Sequence, residues 1–454
     1  MRKEMIQELG KLAGQSAFQN IEALEAEGRK RRAVVPLAGL GRRPVIERDP
    51  VAFIDATESK LISALLPQRH ARMAQSPAAF FRGTAELMAY DLSHEVASGI
   101  RVLCSGDAHL QNFGFYASPE RNLLFDLNDF DEAAPNPFEF DVKRLVTSVY
   151  LLGAQNHYDE AALDHLAAKV AKTYRKTLKK AFKTGALTRF YASSAVRDLT
   201  AALPDQADVA FVERISDRAQ GRDNESVVAK YTEVVDGQLR FKVAPPRSAR
   251  VSATTQAALV AALGDYQHTT RADVALLLAQ YRVTDLIRHS VGIGSFGTTC
   301  YLVLMTGLGG SHLVLQVKEA LPRRRELTAG PRVDLAREVS EGQRIIAAQQ
   351  ILQKASDPFL GWLSLGDKSY YVRQFRDMKE SIDVTALSFS QFTAYCRITG
   401  YLLAMAHAQS PTAAIADGYL NHDFDGAIQH WAKGYLGQVI DDYAAFIARY
   451  APAK

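Results

Sequence analysis

The alternation of apolar and polar positions divides the chain into long helical stretches and a shorter, strand-rich part. In several segments apolar residues recur every three to four positions, which is the spacing of a helix with one buried face. These predicted helices cover residues 1–30, 50–66, 84–97, 140–155, 158–202, 333–352, 388–408 and 424–449. Asp141, near the start of the fourth helix, is the expected N-cap, because an Asp side chain accepts hydrogen bonds from free backbone N–H groups.

Strands are predicted where short apolar, β-branched runs lie between turn residues. These runs are residues 100–107, 121–133, 231–243 (a β-hairpin), 285–320 (three strands separated by glycines) and 369–375. Asp236 and Gly237 supply the residue types that a tight hairpin turn requires. The sequence therefore predicts an α+β fold, in which a mostly helical body carries a strand-rich insert near 285–380.

Composition narrows the class of protein without indicating a reaction. The chain has 454 residues, of which 47% are apolar and 23% charged, as in ordinary globular proteins. Its net charge of +4 is too small to indicate a nucleic-acid partner. Cys104, Cys300 and Cys396 lie far apart, which argues against a structural zinc site and against a disulfide framework.

Membrane insertion is not indicated by any segment of the sequence. No run approaches the roughly 20 consecutive apolar residues of a membrane-spanning helix. The first residues, MRKEMIQELGKLAGQ, mix charged and apolar positions and lack the apolar core of a signal peptide. We therefore expect a cytoplasmic protein, and the sequence leaves its oligomeric state open.

Two acidic segments carry the first candidate chemistry, and each follows an apolar strand. In VLCSGDAHLQNFGFY (102–116), Asp107 and Asn112 stand five residues apart, and Asp129 and Asp131 end the next predicted strand. Phosphoryl transfer requires a carboxylate beside the acceptor hydroxyl and oxygen ligands that hold Mg²⁺. The alternative is that Asp and Asn simply form turns. Finding both segments after strands favours a site, in which His109 either orients the loop or caps its turn.

A glycine-rich segment, VGIGSFGTTCYLVLM (291–305), is the second candidate. Gly292, Gly294 and Gly297 fit the pattern G-x-G-x-x-G, with Ser295 between them. A dinucleotide-binding loop would continue into a helix. Here the chain continues as a strand, which is the arrangement of the phosphate-covering loop of protein kinases. The alternative is a glycine-rich hairpin turn without a ligand.

A lysine in an apolar strand is the third candidate. Lys318 stands in LVLQVKEA (313–320), where burying an ammonium group is costly unless it is paired. Glu341 is the first choice of partner and Glu338 the second, because both lie on the following predicted helix. The alternative is an edge-strand lysine that reaches solvent.

Several basic residues are weaker candidates. They are Arg82, Arg373, Arg376 and Lys379. Each either meets a phosphate or an anionic substrate, or forms a surface or interdomain ion pair. Other chemistries are disfavoured, because the sequence has no HExxH metal motif and no G-x-S-x-G element of a serine hydrolase.

Taken together, these motifs resemble the protein-kinase-like superfamily, in particular its aminoglycoside- and choline-kinase branch. SGDAHLQN is similar to the loop H-G-D-x-H-x-x-N of that branch, with Ser105 in place of the first His, and NDFDEA resembles I-D-F-x-D-A. The resemblance implies that Asp107 is the catalytic aspartate and that Asn112 and Asp129 are Mg²⁺ ligands. It makes Asp131 a further candidate ligand.

The same resemblance implies a nucleotide site in the strand-rich part. Its residues are Gly292, Gly294, Ser295, Gly297, Lys318, and Glu341 or Glu338. Over residues 45–450 the chain also resembles a bacterial family catalogued as domain of unknown function 2252. That likeness is carried by segments such as RMAQSPAAFFRG, CSGDAHLQNFG, FDLNDFDEA and YYVRQFRDMK.

The order of the motifs along the chain is the reverse of that in kinases. The glycine loop and Lys318 follow Asp107, whereas in kinases they precede the catalytic aspartate. An active site depends on geometry and not on chain order, so the resemblance implies a circularly permuted, two-lobed kinase-like fold. Its parts would be an N-terminal helical extension (1–45), a large lobe (46–285), a small β-rich lobe (286–380) and helices completing the large lobe (381–454).

The function implied by the resemblance is an ATP–Mg²⁺-dependent phosphotransferase acting on a hydroxyl acceptor that the sequence leaves open. Two alternatives stay open as well. One is nucleotidyl transfer on the same fold, and the other is a nucleotide-binding scaffold without turnover. For either enzyme, Lys318 must lie close to Asp129.

Overall fold

A computed structural model describes most of the chain. The described residues are 20–192, 194–196, 213, 215–217, 219, 221, 224–290, 292, 294, 296–322, 340–376, 378 and 382–450. They form helices and antiparallel sheets in one chain, so the predicted α+β class is confirmed. None of the helices described is long and apolar enough to cross a lipid bilayer.

Short helices make up the first part of the described chain. They are α1 (Ile21–Val34), α2 (Leu37–Leu40), α3 (Pro50–Glu58), α4 (Leu66–Met73), α5 (Pro77–Gly83) and α6 (Ala85–Ser93). Asp49 and Ser76 accept hydrogen bonds from the first turns of α3 and α5, and a proline follows each of them, which is a common way to begin a helix. The helix predicted over 50–66 therefore ends at Glu58 and is followed by a separate helix.

Two small sheets flank the acidic segments. Strand β1 (Arg101–Cys104) pairs with β4 (Ala134–Pro137), and β2 (Phe113–Ala117) pairs with β3 (Leu123–Leu127), both antiparallel. Both predicted strands are confirmed, although the second is shorter than expected. The first acidic segment connects β1 to β2, and the second connects β3 to β4. Because β1 pairs with β4 and β2 pairs with β3, the two acidic segments lie in the same region.

Helix α7 (Glu139–Gln155) confirms the predicted helix but corrects its N-cap. The N-cap position is Phe138, and no side chain caps the helix there. Asp141 lies inside the first turn, and its carboxylate instead accepts hydrogen bonds from the backbone N–H groups of Ser105 and Gly106. A carboxylate that could cap a helix by accepting backbone hydrogen bonds here accepts them from the loop after β1 instead.

Within the described residues, three helices and a hairpin follow α7. They are α8 (Glu160–Phe182), α9 (Ala186–Phe190), α10 (Asn224–Tyr231) and the strands β5 (Thr232–Val235) and β6 (Gln238–Phe241). Asp236 and Gly237 both have positive φ angles, 52° and 72°, as a type I′ turn requires. The predicted hairpin is confirmed.

A six-stranded antiparallel sheet forms the strand-rich part. Its strands are β7 (Ser248–Arg250), β8 (Tyr281–His289), β9 (Cys300–Gly307), β10 (His312–Glu319), β11 (Gly361–Leu365) and β12 (Lys368–Gln374), in the spatial order β11-β12-β10-β9-β8-β7. Helices α11 (Ala253–Gln267) and α12 (Ala272–Leu278) pack on one face, while α10 and the hairpin pack on the other. The sheet includes two strands, β7 and β11, that the sequence pattern does not predict.

The remaining helices complete the helical body. They are α13 (Glu341–Leu352), between β10 and β11, and α14 (Phe389–His407), α15 (Ala413–Tyr419) and α16 (Asp423–Tyr450) at the C-terminal end. The main apolar core joins these C-terminal helices to α7 and α8 and to the helices of the N-terminal part. A Cβ atom at Gly28 would lie 2.1 Å from the Ile415 carbonyl oxygen, so α1 and α15 pack without space for a side chain there.

Candidate active site

A cavity of about 100 Å³ lies where the helical body meets the six-stranded sheet. The helical body contributes side chains from α3, α5 and α6 and from the two acidic segments, whereas the sheet contributes residues next to β9 and β10. The lining includes Glu86, Arg82, Asp107, Asp129, Asp131, Glu132, Gly294, Thr298 and Glu319. Segments far apart in the sequence therefore meet around one enclosed space.

The loop that carries Asp107 is fixed by its backbone. Gly106 has φ +79°, and a Cβ atom there would lie 2.3 Å from the Glu132 carbonyl oxygen, so both the conformation and the space require glycine. The N–H groups of Ser105 and Gly106 donate to Asp141 at 2.7 and 3.0 Å. The two acidic segments therefore pack backbone against backbone.

A buried polar network lies beneath this loop. The Tyr174 hydroxyl donates to Nδ1 of His407 at 2.8 Å, and Nε2 of His407 lies 3.1 Å from Asp141. The ligand atoms of Cys104, Asp141 and His407 lie within 4.8 Å of one another, a spacing that a metal ion can bridge. However, burial raises the pKa of the Cys104 thiol, and the other two side chains already have protein partners. We assign the network to holding the loop.

Asp107 lies at the cavity with both carboxylate oxygens engaged. Oδ1 accepts from Nε of Arg144 at 2.5 Å, and Oδ2 accepts from Nδ2 of Asn112 at 2.9 Å. Burial raises the pKa of Asp107 to about 6, although the charge of Arg144 acts in the opposite direction. The carboxylate is thus ionised at neutral pH and held in a fixed orientation.

Arg144 reaches Asp107 from the interior of the helical body. It projects from α7, donates to the Phe81 carbonyl at 2.9 Å, and stacks over the Phe81 ring at 4.1 Å. Only 2% of its side chain is exposed, so its charge needs the carboxylate partner. This residue is not predicted from the sequence, because an arginine on an amphipathic helix usually faces solvent.

His109 and Asn112 shape the turn after Asp107. Nδ1 of His109 accepts from the N–H of Gln111 at 3.1 Å and caps the 3₁₀ turn that contains Asn112. Nε2 lies 3.6 Å from Asp107, which is longer than a hydrogen bond. Burial lowers the pKa of His109, so the ring is neutral. Of the two roles considered for His109, the turn cap is the one observed.

Lys318, on β10, reaches the site through Asp131, which lines the cavity and pairs with it across 187 sequence positions. The Tyr371 hydroxyl donates to the other oxygen of Asp131 at 2.9 Å. Although burial alone would raise the pKa of Asp131, Lys318 holds it below its ordinary value. Lys318 is 2% exposed, so the alternative of an edge lysine in solvent does not apply.

The expected ion pair between Lys318 and Glu341 does not form. Glu341 pairs with Arg344, three residues further along α13, at 2.5 Å. Side chains three residues apart on a helix lie close together, which favours the pair of Glu341 and Arg344. Lys318 pairs instead with Asp131. Glu338 lies outside the described residues. Arg344 also donates to the carbonyls of Asp131 and Ala133, each at 2.8 Å, so α13 holds the second acidic segment through a residue that the sequence does not indicate.

The glycine loop packs on the helical body. The Gly292 carbonyl accepts from Arg72 at 2.6 Å, the Gly294 carbonyl accepts from Arg69, and the Gly297 carbonyl accepts from the N–H of Ile62 at 2.8 Å. Gly297 has φ +110°, a backbone conformation that favours glycine. Ser295 lies outside the described residues. Gly294 lines the cavity, and the loop therefore joins the acidic segments at one site.

The candidate basic residues have different surroundings. Arg82 lines the cavity beside the acidic segments. Arg373, on β12, donates to the Gln316 side chain at 2.7 Å and lies 5.7 Å from the ring of Tyr371, close to the Lys318 pair. Arg376 lies over the Phe375 ring at 5.4 Å. Lys379 lies outside the described residues.

Glu132 adds an unpredicted titratable group to the cavity. Burial, together with the charges of Glu86 and Asp131, raises its pKa to about 8. The side chain is therefore protonated at neutral pH, unlike Asp107. The sequence does not single out Glu132, because its raised pKa depends on burial and on Glu86 of α6, which lies far away along the chain.

Comparison with known proteins gives one positive finding. The family model described as "Uncharacterized protein conserved in bacteria (DUF2252)" matches residues 61–449. No curated protein and no solved structure matches the chain. The match includes both acidic segments, the glycine loop and Lys318, and it spans most of the sequence. The chain therefore belongs to the DUF2252 family of bacterial proteins.

Proposed function

We propose that the protein is an ATP–Mg²⁺-dependent phosphotransferase that moves the γ-phosphate to a hydroxyl acceptor. The observation that carries this proposal is the ion pair between Lys318 and Asp131 at a cavity that Asp107 and Asp129 also line. Two acidic segments, a glycine loop and a strand lysine thus surround one space. Those are the parts that phosphoryl transfer needs for positioning and for charge stabilisation.

The proposal includes a circularly permuted, kinase-like arrangement. In it, the six-stranded sheet corresponds to the small lobe, and the helices before and after it correspond to the large lobe. The contact between α1 and α15 supports this reading, because it joins both ends of the described chain in one helical body. The glycine loop and Lys318 would then hold the nucleotide phosphates from the sheet side.

Asn112 and Asp129 would hold the Mg²⁺ ion. Nδ2 of Asn112 donates to the Asp107 carbonyl and to the Asp107 carboxylate, at 2.8 and 2.9 Å, which leaves the amide oxygen as the atom for a cation. Amide and carboxylate oxygens suit this hard ion. When bound, the ion would neutralise phosphate charge. We assign Asp131 to Lys318 and not to the metal, because Lys318 and Tyr371 engage its two oxygens.

Asp107 would orient the acceptor hydroxyl and take its proton. Arg144 and Asn112 fix the direction of the carboxylate, so little reorganisation accompanies binding. Because burial raises the pKa of Asp107 to about 6, the ionised form prevails at neutral pH and is lost in mild acid. Turnover should accordingly fall as the pH drops below about 6.

The decisive variant is Asp107→Asn, which keeps the side-chain size and removes the charge. It should lower the turnover of ATP to ADP by a factor of about 100 or more, the usual range for a lost general base, while binding of ATP–Mg²⁺ stays within about threefold. Turnover is measured by nucleotide chromatography, and binding by titration calorimetry. Asp425→Asn, in an ion pair of the helical body, is the matched control.

Three results would contradict the proposal in different ways. If the wild-type protein binds no ATP–Mg²⁺, the nucleotide site itself is wrong. If it binds ATP–Mg²⁺ without turnover, the protein is a scaffold. If it releases pyrophosphate and incorporates label from the α-phosphate, the reaction is nucleotidyl transfer.

A further inference from the structure

We infer that Arg82 binds the phosphoryl group that is transferred, through a guanidinium group whose Nε has no hydrogen-bond partner among the described residues. This inference rests on the proposed function and adds a residue to it. It concerns a phosphate oxyanion, the chemical class that a planar, permanently charged guanidinium recognises best.

Arg82 lies at the cavity, next to the glycine loop. It stands in the last turn of α5, which begins at the Ser76 cap. A Cβ atom at Gly294 would lie 3.1 Å from the Arg82 carbonyl oxygen, so the glycine loop rests against this residue. Its side chain lines the cavity together with Asp107 and Asp129.

The hydrogen bonding of Arg82 distinguishes it from its neighbours. Nε of Arg69 donates to Glu58 at 2.7 Å, and Nε of Arg144 donates to Asp107 at 2.5 Å. Nε of Arg82 is also buried, yet it has no hydrogen-bond partner within the described part of the chain. Leaving a buried donor unpaired costs roughly 1–3 kcal/mol, more when the group is charged, so a partner supplied by a ligand accounts for its presence.

The charges around Arg82 favour an anion that arrives with its own cation. Burial lowers the pKa of Arg82, and the charges of Asp107 and Asp129 act against this effect. Arg144 already occupies Oδ1 of Asp107, so Arg82 is not needed as its counter-ion. A phosphoryl oxygen in the cavity that Arg82 lines would accept charge-assisted hydrogen bonds from its guanidinium group, the strongest kind available to it.

The size of the cavity fits a phosphoryl group. Its volume of about 100 Å³ is several times the roughly 10–15 Å³ that one water requires. It is also well below the roughly 300–1,000 Å³ of pockets that enclose whole small molecules. The space at Arg82 therefore suits the reacting group of a nucleotide, and the nucleoside would lie outside it.

In the transfer step, the bond between the γ-phosphorus and the bridging oxygen breaks, and ADP leaves with that electron pair. The acceptor oxygen forms the new bond to phosphorus, and its proton goes to Asp107. Negative charge spreads over the three equatorial oxygens of the moving group. Arg82 contacts these oxygens and is in that sense a catalytic residue, complementary to Lys318, which approaches from the sheet.

The test compares ADP–Mg²⁺ binding with and without aluminium fluoride, a planar or octahedral mimic of the moving phosphoryl group. In the wild-type protein, aluminium fluoride should lower the dissociation constant of ADP–Mg²⁺ at least tenfold in calorimetric titrations. Arg82→Gln should lose most of this gain while its affinity for ADP–Mg²⁺ alone stays within about threefold, and Arg82→Lys should keep part of the gain. Arg175→Gln, whose partner Asp425 lies in the helical body, should keep all of it.

The outcomes separate this inference from the proposed function. No ADP–Mg²⁺ binding by the wild-type protein would refute the nucleotide site and the inference with it. Binding without any gain from fluoride, or a gain that Arg82→Gln preserves, would overturn the role of Arg82 alone. Melting curves of all variants show whether a substitution impairs folding. If Arg82→Gln does not fold, the role of Arg82 is judged from Arg82→Lys, which retains the charge.

Discussion

The two sides of the cavity are held in place by different kinds of contact. On the Asp107 side, the loop is bonded to side chains of its own helical body, namely Asp141 and Arg144. On the sheet side, Lys318 and the glycine loop are bonded across the cavity, to Asp131 and to Arg69. The contacts of the Asp107 side lie within the helical body and do not involve the sheet. The contacts of the sheet side form only where the sheet packs against the helical body.

This difference indicates which side moves when a ligand binds. A phosphate group bound at Lys318 would compete with Asp131 for the N–H groups of the lysine, so the proposed binding would weaken this ion pair. Asp107 keeps Arg144 and Asn112 throughout, and its side of the site is preorganised. The comparison can be tested by removing one anchor from each side.

The largest effect is expected from the anchor of the Asp107 side. Asp141→Ala leaves the buried N–H groups of Ser105 and Gly106 and the ring of His407 without their acceptor. We expect a loss of about 3–5 kcal/mol in the free energy of unfolding, measured by urea denaturation. Asp425→Ala, which breaks a more exposed ion pair, should cost less than about 1 kcal/mol. Equal losses in the two variants would show that the loop is not anchored as described.

A smaller effect is expected on the sheet side. Lys318→Met and Asp131→Asn should each lower the free energy of unfolding, because the first leaves a carboxylate, and the second a buried ammonium group, without its ionic partner. In the double-mutant cycle the coupling energy should be about 1–2 kcal/mol, since Asp131 is partly exposed. If the proposed ATP–Mg²⁺ binding is right, saturating ligand should shrink the coupling, because a phosphate would share the N–H groups of the lysine. Additive single effects without ligand would rule out the ion pair.

An effect that appears only when the pH is changed concerns the protonation of Glu132. Its pKa of about 8 in the folded protein lies above its ordinary value of 4.5, so the folded state holds the proton more tightly than the unfolded state. The contribution of Glu132 to stability is therefore complete below about pH 4.5 and is lost as the pH rises through 8. Between about pH 5 and about pH 9, the wild-type protein should lose up to about 4 kcal/mol more stability than Glu132→Gln. Parallel pH profiles in urea denaturation would refute the raised pKa.

Local elements of this fold could be predicted because they depend on short-range patterns. Helices α7, α14 and α16 and the hairpin at Asp236 follow from periodicity and turn chemistry. Strand β7 and strand β11 did not, because three to five residues in a sheet carry too little periodicity. The N-cap prediction for Asp141 failed because the residue type fits both a helix start and a loop anchor.

The candidate site shows where sequence reasoning ends. Motifs place Asp107, Asp129 and Lys318 near one cavity, yet the partner of Lys318 depends on which carboxylate lies within reach in three dimensions. Arg144 and Arg344 each look like ordinary helix charges in the sequence. Their importance follows from burial and from backbone carbonyls that only the folded chain brings to them.

Arg48 lies outside the matched family segment but forms ion pairs with two residues inside it. The match begins at residue 61, but Arg48 donates to Asp91 at 2.5 Å and to Asp442 at 2.7 Å, and both carboxylates are buried. A fragment cut at that boundary would keep two buried carboxylates facing each other without their shared cation. The cooperative unit that must fold is therefore longer than the segment by which the family is recognised, and Arg48 is one of the contacts that join its two distant ends.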